Sequence, residues 1–390
     1  MQQQKRKNKM KILLGTHYLA KTGGTENYTY ALAMELKRQG YDVEHFAIVK
    51  GKTSSLLEEQ GIPFMSGEQY DLILANHTTV VEKLWPYGFV IQTCHGTIPE
   101  LEQPSPYADA YVGVSEEVKE HLQRLGFEAT VIPNGIDCKR FCPKKPVSPR
   151  LSTVLSLCHS DIANDFVRRC CEQAGLKFIQ CNKFKENVWA IEDVINECDL
   201  IVGLGRSAYD AMACGRCVLV YDFREHYMNE FLGEGMLTPE NIGKAMSCNC
   251  TGKASRLKYD EQAFIDEMQK YSPELAAWSR EYALKNLNIE EAVRKYFDVY
   301  RNVDIRKCFG TCKAHLSKTL DEAYQKLAAL CDKEQSHKQI QEQLAEQQRQ
   351  AASLQTFYEA KSRKHLRAIR GLTLLCIALA IILLMLIFIR

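Results

Sequence analysis

Four short segments of the sequence place glycines beside side chains that can bind or react. The first is Thr22-Gly23-Gly24-Thr25-Glu26, which precedes a helical pattern. Paired glycines let a backbone approach a ligand closely, and the N-terminus of a helix presents free N–H groups to an anion. This segment therefore predicts an anion-binding turn, although a plain tight turn would use the same residues.

Two further segments stand at the ends of predicted strands. Cys94-His95-Gly96-Thr97 follows an apolar run, and the carboxyl ends of strands line the ligand cleft in open α/β sheets. An imidazole there could hydrogen-bond a substrate, but a single histidine is also often structural. Ile132-Pro133-Asn134-Gly135-Ile136-Asp137 carries the Asn-Gly pair that is typical of a turn.

The fourth segment, residues 198–215, has the pattern of a strand, a glycine loop and a short helix, with Arg206 at the loop. Helix N–H groups, the helix dipole and a guanidinium together suit a phosphate or diphosphate. A dinucleotide-binding fingerprint also fits this segment, with Gly203, Gly205 and Ala208 at its glycine positions and Asp222 as its later acidic residue. The helix is very short and no group for hydride transfer is evident, so we favour the diphosphate interpretation.

Strand patterns alternate with helical patterns around these segments, which predicts an α/β fold with parallel sheets. A first domain, 1-142, would contain the helix Glu26–Gln39 and the strands Lys11–Gly15, Val43–Val49, Leu72–Ala75, Val90–Thr93, Ala110–Val114 and Ala129–Pro133. Prolines around residue 146 indicate a linker. A second domain, 150-303, would contain the strands Thr153–Leu157, Lys177–Gln180, Leu200–Gly203 and Cys217–Tyr221 and the closing helices Pro273–Asn286 and Ile289–Asn302.

Charge and cysteine content exclude several classes of protein. The 50 basic and 48 acidic residues give a net charge of +2, so nothing indicates nucleic-acid binding. The 16 cysteines are scattered, and no early apolar run is long enough for a signal peptide, so we expect reduced thiols in the cytoplasm. Close pairs such as Cys214-x-x-Cys217 lack further ligands at zinc-finger spacing, so neither a metal nor another cofactor is expected.

The C-terminal part follows a different pattern. Residues 372-389 carry no charge, and a helix of this length would cover about 27 Å, close to the hydrocarbon thickness of a bilayer. Basic residues concentrate before this segment, which predicts a transmembrane helix that forms a single-pass C-terminal anchor in the cell membrane, with the body in the cytoplasm.

A helical stalk is predicted for 313-368, which contains neither proline nor glycine. A coiled-coil spacing connects Leu316, Leu320, Ala323, Leu327 and Leu330. The stalk could self-associate into a homo-oligomer, or it could be a lone solvated helix.

Taken in order, the motifs resemble those of the GT-B glycosyltransferases of family 4. The order is Gly-Gly-x-Glu, His-Gly, Val-Ser-Glu at 114–116, Ile-Pro-Asn-Gly-Ile-Asp and Ala-Met-Ala-Cys-Gly. Each motif is weak alone, but five in the correct order over residues 10 to 300 are specific. The resemblance implies two Rossmann-like domains facing a cleft. It also implies a retaining, hexosyltransferase-like enzyme that uses a nucleotide-diphosphate sugar, usually without a metal.

The resemblance also implies roles for individual residues. Gly23 and Gly24 would approach the diphosphate, and His95 would face the donor sugar. Asp210 stands where a glutamate usually holds the nucleotide ribose, and Arg206 would stabilise the leaving diphosphate. The expected catalytic residues are His95, Arg206 and Asp210. The expected donor-binding residues are Gly23, Gly24, Gly203, Gly205 and Ser207. Glu26, Ser115 and Asn134 are expected on the acceptor side or elsewhere in the cleft.

Two departures from the family pattern leave a second function open. Val202 occupies the position of the family's first glutamate, and the usual Arg-Lys pair is missing from residues 157–161. The leading prediction is a transferase that acts on a lipid-linked or glycan acceptor at the membrane, in the synthesis of cell-surface polysaccharide or glycolipid. The alternative is a catalytically inactive, membrane-anchored scaffold with the same fold.

Overall fold

The computed structural model describes residues 9–20, 23–67, 69–182, 188–224, 230–302, 345–350 and 352–353. Its first domain is built on a parallel sheet with the spatial order β2-β1-β3-β4-β5-β6. The strands are β1 (Lys11–Tyr18), β2 (Asp42–Val49), β3 (Tyr70–Asn76), β4 (Gly88–Cys94), β5 (Ala110–Gly113) and β6 (Ala129–Val131). The helices are α1 (Gly24–Arg38), α2 (Lys52–Glu59), α3 (Thr78–Leu84) and α4 (Glu116–Arg124), with short 3₁₀ helices at Trp85–Tyr87 and Glu100–Glu102.

The second domain is built on a sheet with the order β11-β10-β9-β7-β8. Its strands are β7 (Thr153–Ser156), β8 (Lys177–Gln180), β9 (Leu200–Gly203), β10 (Cys217–Arg224) and β11 (Glu230–Met236). Its helices are α5 (Asp161–Gln173), α6 (Ile191–Asn196), α7 (Arg206–Ala213), α8 (Ile242–Ser247), α9 (Glu261–Met268) and α10 (Pro273–Asn286), and α11 (Ile289–Asn302) follows them in the chain.

All ten predicted strands form, and the mixed α/β class is confirmed. In the first sheet, Ile12, Leu13 and Leu14 are at most 1% exposed although they point to alternate faces, as expected where helices cover both faces of a parallel sheet. The strand β11 was not predicted. It pairs antiparallel with β10, and its two glycines interrupt the apolar pattern.

Two chain crossings join the domains. After β6, the N–H of Ile136 donates to the Leu287 carbonyl at 2.7 Å, and the Ile136 carbonyl accepts from the N–H of Ile289 at 2.9 Å. The helix α11 then packs its apolar residues into the core of the first sheet, namely Ile289, Ala292, Val293, Tyr296 and Phe297. The boundaries 1-142 and 150-303 stay a prediction, but the packing of α11 associates it with the first core.

The predicted localisation, a cell-membrane protein with a single-pass anchor, needs correction. Among the described residues, no helix is long and apolar enough to cross a membrane. The longest of them, α1, has 15 residues and spans about 22 Å, less than a hydrocarbon core of about 30 Å, and it ends in Lys37 and Arg38. The predicted segment 372-389 lies outside the described residues. So does most of the stalk at 313-368, of which only 345–350 and 352–353 are described, as helix.

Candidate active site

A cleft of about 540 Å³ lies between the two sheets, and residues of both domains form its walls. Except for Gly203, every residue predicted for the site lines this cleft: Gly23, Gly24, Glu26, His95, Ser115, Asn134, Gly205, Arg206, Ser207 and Asp210. These residues are far apart in the chain, so the folded structure brings the predicted motifs together. Their individual roles stay predictions.

The beginning of α1 forms one edge of the cleft. Gly23 is its N-cap, and a Cβ atom added there would lie 2.3 Å from Oε2 of Glu26, so this carboxylate folds back over the first glycine. A Cβ atom added to Gly24 would meet nothing within 4 Å. The backbone at Gly24 is therefore open to a ligand in the cleft.

The beginning of α7 forms the opposite edge. Gly205 is the N-cap of α7, with φ 56° and ψ −124°, a conformation that strains any residue with a side chain. Its N–H donates to the Cys250 carbonyl at 2.9 Å. Gly203 instead has a packing role, because a Cβ atom there would lie 3.3 Å from Cβ of Ser207 and 3.4 Å from Cβ of Leu157.

Arg206 and Asp210 are one helical turn apart on α7, and we call them the charge pair. Their side chains are 9% and 7% exposed, and Nε of Arg206 lies 3.6 Å from Oδ1 of Asp210, too far for a good hydrogen bond. Nη1 of Arg206 donates to the Gly135 carbonyl at 3.3 Å. Burial lowers the pKa of Arg206. Burial also raises the pKa of Asp210 to about 6, against the opposing effect of Arg206.

Several buried polar atoms in the cleft have no hydrogen-bond partner among the described residues. They are Oδ1 of Asn27, Oδ1 of Asn134, Nε of Arg206 and Oδ1 of Asp210. A buried polar atom without a partner costs about 1–3 kcal/mol, and most such atoms in native proteins are satisfied. Three acceptors and one donor on the walls of a single cleft are therefore typical of a site that a polar ligand completes.

On the first domain, Thr29, Asn76, His77, His95 and Glu102 form a hydrogen-bonded set that we call the edge network. Nε2 of His95 lies 2.9 Å from Oδ1 of Asn76, and Nδ2 of Asn76 donates to Oγ1 of Thr29 at 3.1 Å. Burial lowers the pKa of His95 to about 4, although the charge of Glu102 raises it in part. The imidazole of His95 is therefore neutral at pH 7.

Glu102 fixes the loop that carries His95. Its Oε2 accepts from the backbone N–H of His95 at 2.7 Å, and its Oε1 lies 3.4 Å from Nε2 of His77. Burial would raise the pKa of Glu102, but the hydrogen bond from His77 and the contacts with His95 outweigh it and lower the pKa. The backbone N–H of His17 donates to Nδ1 of His77 at 3.2 Å, so Nε2 of His77 carries the proton that Glu102 accepts.

Ser115 and the glycine that follows Asn134 have structural roles at the edge of the cleft. Oγ of Ser115 accepts from the N–H of Val118 at 3.4 Å and caps α4. Asn134 precedes Gly135, where a Cβ atom would lie 2.6 Å from Cδ1 of Ile289. The Asn-Gly pair is thus part of the crossing between the domains and not an isolated surface turn.

Sequence reasoning missed several residues of the site. Lys253 and Glu117 come from opposite domains, line the cleft, and form an ion pair with Nζ 2.9 Å from Oε1. No motif marks Lys253. Asn76 and His77, by contrast, directly follow a predicted strand, so the same rule that selected His95 could have selected them.

The dinucleotide alternative does not fit the position of Asp222. This carboxylate is 1% exposed and accepts from the N–H of His159 at 3.2 Å and from its neighbour Phe223 at 2.8 Å. It holds the loop before α5 and does not line the cleft. No disulfide joins the cysteines that the structure describes, and no group of three or more potential ligands among those residues is arranged for a metal ion.

No protein-family model matches the sequence, and no curated protein matches it. Similar solved structures include a putative UDP-N-acetylglucosamine 2-epimerase from Listeria monocytogenes, at 14% identity and a TM-score of 0.49, over 75% of this chain and 96% of that one. A UDP-GlcNAc 2-epimerase from Neisseria meningitidis bound to UDP-GlcNAc is 11% identical, with a TM-score of 0.49. The match covers 75% of this chain and 99% of the epimerase chain. MurG from Acinetobacter baumannii is 13% identical, with a TM-score of 0.42. The match covers 73% of this chain and 99% of the MurG chain.

Two Rossmann-like domains in series contribute to one cleft. The chain has a GT-B fold. The resemblance to family 4 stays a prediction, and a function has to be argued from the residues of the cleft.

Proposed function

We propose that this protein is a glycosyltransferase that moves a sugar from a nucleotide-diphosphate sugar to a hydroxyl group of an acceptor, with retention of configuration. The observation that carries the proposal is the group of buried atoms without partners in the cleft, on Asn27, Asn134, Arg206 and Asp210. Three acceptors suit the hydroxyl groups of a sugar or ribose, and the guanidinium suits a phosphate.

Two cations are available for the diphosphate. Arg206 lies at the start of α7, whose N-terminal N–H groups also favour an anion. Lys253 lines the same cleft and supplies a second positive charge where the sequence lacks the family's usual Arg-Lys pair. The carboxylate of Asp210 would repel a phosphate, since both groups are negative. Its Oδ1 can instead accept a hydrogen bond from a ribose hydroxyl.

In the proposed reaction, the bond from the anomeric carbon to the diphosphate oxygen breaks, and its electron pair leaves with the oxygen. A bond from the acceptor oxygen to the anomeric carbon forms on the same face. The acceptor proton passes to the departing diphosphate oxygen, so we nominate no side chain as base. Arg206 and Lys253 stabilise the charge that develops on the leaving group. The acceptor predicted from the sequence is a glycan or a lipid-linked sugar, and the reaction requires only its hydroxyl group.

The test begins with binding. The full chain is heated with uridine, guanosine, adenosine and thymidine diphosphates and with their sugars. A ligand at a hundred times its Kd adds about 2.7 kcal/mol of stability, which gives a clear thermal shift. A ligand that binds is then incubated with candidate acceptors, and the products are identified by NMR, which reports the anomeric configuration.

Each outcome separates the proposal from a competitor. Binding followed by transfer with retention supports it, and transfer with inversion overturns the retaining mechanism. A nucleotide sugar that changes at a ring carbon without any acceptor would indicate an epimerase. Binding without turnover on any acceptor would favour the inactive scaffold, and the absence of binding to all nucleotides would overturn the proposal.

A further inference from the structure

The edge network determines which nitrogen of His95 carries a proton, and Thr29 is the first member of the hydrogen-bonded chain that does so. This residue is 1% exposed, and its Oγ1 lies 2.8 Å from the Thr25 carbonyl oxygen. Two oxygens at this distance must share a hydrogen, and a carbonyl has none to give. The hydroxyl of Thr29 therefore donates to Thr25, and its oxygen is left as an acceptor.

The hydrogen bond with Thr29 fixes the orientation of the Asn76 amide, and this orientation determines which atom faces His95. Because Oγ1 of Thr29 is an acceptor, the Asn76 atom 3.1 Å from it is the amide nitrogen. The other end of the amide, Oδ1, then faces Nε2 of His95 at 2.9 Å. A carbonyl oxygen can only accept, so Nε2 of His95 carries a hydrogen. The side chain of Asn76 is 4% exposed, so its amide makes both hydrogen bonds away from solvent.

The ring of His95 is neutral, so only one of its nitrogens is protonated. Burial is the main cause, and His77 and Arg206 also disfavour a positive charge. The charge of Glu102 opposes these effects, as does a hydrogen bond to Asn134 that only the charged ring, with its second N–H, could donate. The rings of Tyr28 and His95 form a T-shaped contact, with centroids 5.3 Å apart. With the proton on Nε2, the second nitrogen, Nδ1, has a lone pair and no hydrogen.

We propose that Asn76 is a positioning residue that holds His95 in the Nε2-protonated tautomer, so that Nδ1 accepts a hydrogen bond from a hydroxyl or amide N–H of the ligand. A phosphate oxygen has no hydrogen to donate, so His95 selects the sugar part of the ligand and not its diphosphate. The identity of the ligand rests on the function proposed above. The tautomer does not, because it follows from contacts inside the first domain.

The tautomer is measured directly on the full chain, with histidine rings labelled with ¹⁵N, by long-range ¹H–¹⁵N correlation NMR. The chain has 10 histidines, and the variant His95→Gln identifies the signal of His95 by its loss. We expect a neutral ring with a proton on Nε2 from pH 8 to pH 6. A proton on Nδ1, or an imidazolium at pH 7, would overturn the proposal without the need for any further variant. The remaining histidines serve as internal controls.

Asn76→Asp tests the positioning role. A carboxylate can still accept from Nε2, but its charge favours the imidazolium and raises the pKa of His95 by at least one unit. Nδ1 then becomes protonated nearer to neutral pH, and affinity for a nucleotide sugar falls below this pKa and recovers above it. A merely structural role would lower affinity equally at every pH.

Thr29→Val removes the acceptor that orients the amide of Asn76. We expect the His95 ring of this variant to be a mixture of both tautomers.

Ligand titrations separate this inference from the proposed function. A bound nucleotide sugar should shift the Nδ1 resonance of His95, and the nucleoside diphosphate alone should not. An equal shift with the diphosphate alone would mean that the ring meets phosphate, which contradicts the inference. If no nucleotide sugar binds, the proposed function fails, and the spectrum of the unliganded chain still decides the tautomer.

Discussion

The edge network and the charge pair face the same cleft, but they differ in how their polar groups are satisfied. In the edge network, Glu102 accepts from two groups, and Nε2 of His95 has its partner. In the charge pair, Nε of Arg206 and Oδ1 of Asp210 are buried without hydrogen-bond partners among the described residues. The hydrogen bonds inside the network form without a ligand and leave Nδ1 of His95 as an acceptor for one, whereas the charge pair leaves a buried donor and a buried acceptor unsatisfied.

This difference separates positioning from binding. A satisfied network fixes rotamers and tautomers before a ligand arrives, which reduces the ordering that binding requires. An unsatisfied buried pair carries a free-energy cost that a ligand removes, so ligand binding and stability are coupled there. Variants of each region should therefore affect turnover, affinity and stability differently.

The largest effect is expected from Arg206→Met. Loss of a preorganised donor beside a developing charge lowers turnover roughly 100- to 1,000-fold. Asp210 also loses its charge partner, so its pKa rises further above the ordinary value of a carboxyl. Steady-state kinetics at pH 7 provide the measurement.

Lys119→Met is the matched control for Arg206→Met. Lys119 pairs with Glu116 at 3.0 Å on the outside of α4 and does not line the cleft. This control should change turnover by less than twofold. A turnover of Arg206→Met within threefold of the parent protein would remove the charge pair from the catalytic machinery.

Lys253→Met comes next. A hydrogen bond to a charged group contributes about 1.5–3 kcal/mol, so the Kd of a nucleoside diphosphate should rise roughly 10- to 100-fold. The side chains of Lys253 and Glu117 are 16% and 26% exposed, so loss of their ion pair alone costs less than about 1 kcal/mol of stability. Calorimetric titration measures the affinity.

Glu117→Gln breaks the same ion pair but keeps the cation, so its effect on affinity should have the opposite sign. Because Lys253 loses a competing partner, the diphosphate should bind more tightly. Weaker binding in both variants would mean that the bridge between the domains, and not the cation, supports the site.

Gly24→Ala probes the open edge at the start of α1. An added methyl group meets no protein atom within 4 Å, so folding is unaffected, but it would crowd a phosphate that approaches the backbone. We expect a roughly fivefold rise in Kd, about 1 kcal/mol, with an unchanged or slightly higher Tm.

Gly243→Ala is the matched control for Gly24→Ala. Gly243 also lies in a helix, and a Cβ atom there meets nothing within 4 Å. It does not line the cleft, so affinity should not change. Equal affinities for Gly24→Ala and the parent protein would show that the ligand does not approach α1.

The smallest effect on binding is expected from Glu234→Gln. This variant tests a buried atom without a partner that lies outside the cleft. Oε2 of Glu234 is also buried without a partner among the described residues, but it does not line the cleft. Burial raises the pKa of Glu234 to about 7, against opposing backbone hydrogen bonds from Ala254 and Gly252. Gln keeps an acceptor for Ala254, so ligand affinity should not change.

Stability, however, should respond to pH in Glu234→Gln. In the parent protein, the cost of ionising a buried carboxyl is absent below the unfolded pKa of about 4.5 and complete above the folded pKa of about 7. The variant should therefore melt a few degrees higher at pH 8 and at the same temperature at pH 4.5. An equal difference at both pH values would point to packing as the cause.

The alternation of strands and helices and the candidate residues could be predicted from the amino-acid sequence. Apolar runs predicted ten strands, and Ser272 with Pro273 marked the start of α10. Local patterns suffice for these features because hydrophobic periodicity and helix caps involve residues close in the chain. The antiparallel strand β11 was not predicted because two glycines interrupt its apolar pattern, and its pairing with β10 is a tertiary contact.

Which of these residues come into contact depends on the folding of the whole chain. Thr29, Asn76 and His95 form one hydrogen-bonded chain because β3 and β4 are neighbours and end beside α1. The order of strands in a sheet cannot be predicted from any single segment of the sequence. Lys253 reaches the cleft from a loop without a motif. The tautomer of His95 and the free atoms of the charge pair depend on distances of a few ångströms between residues remote in sequence, which packing of the whole core sets.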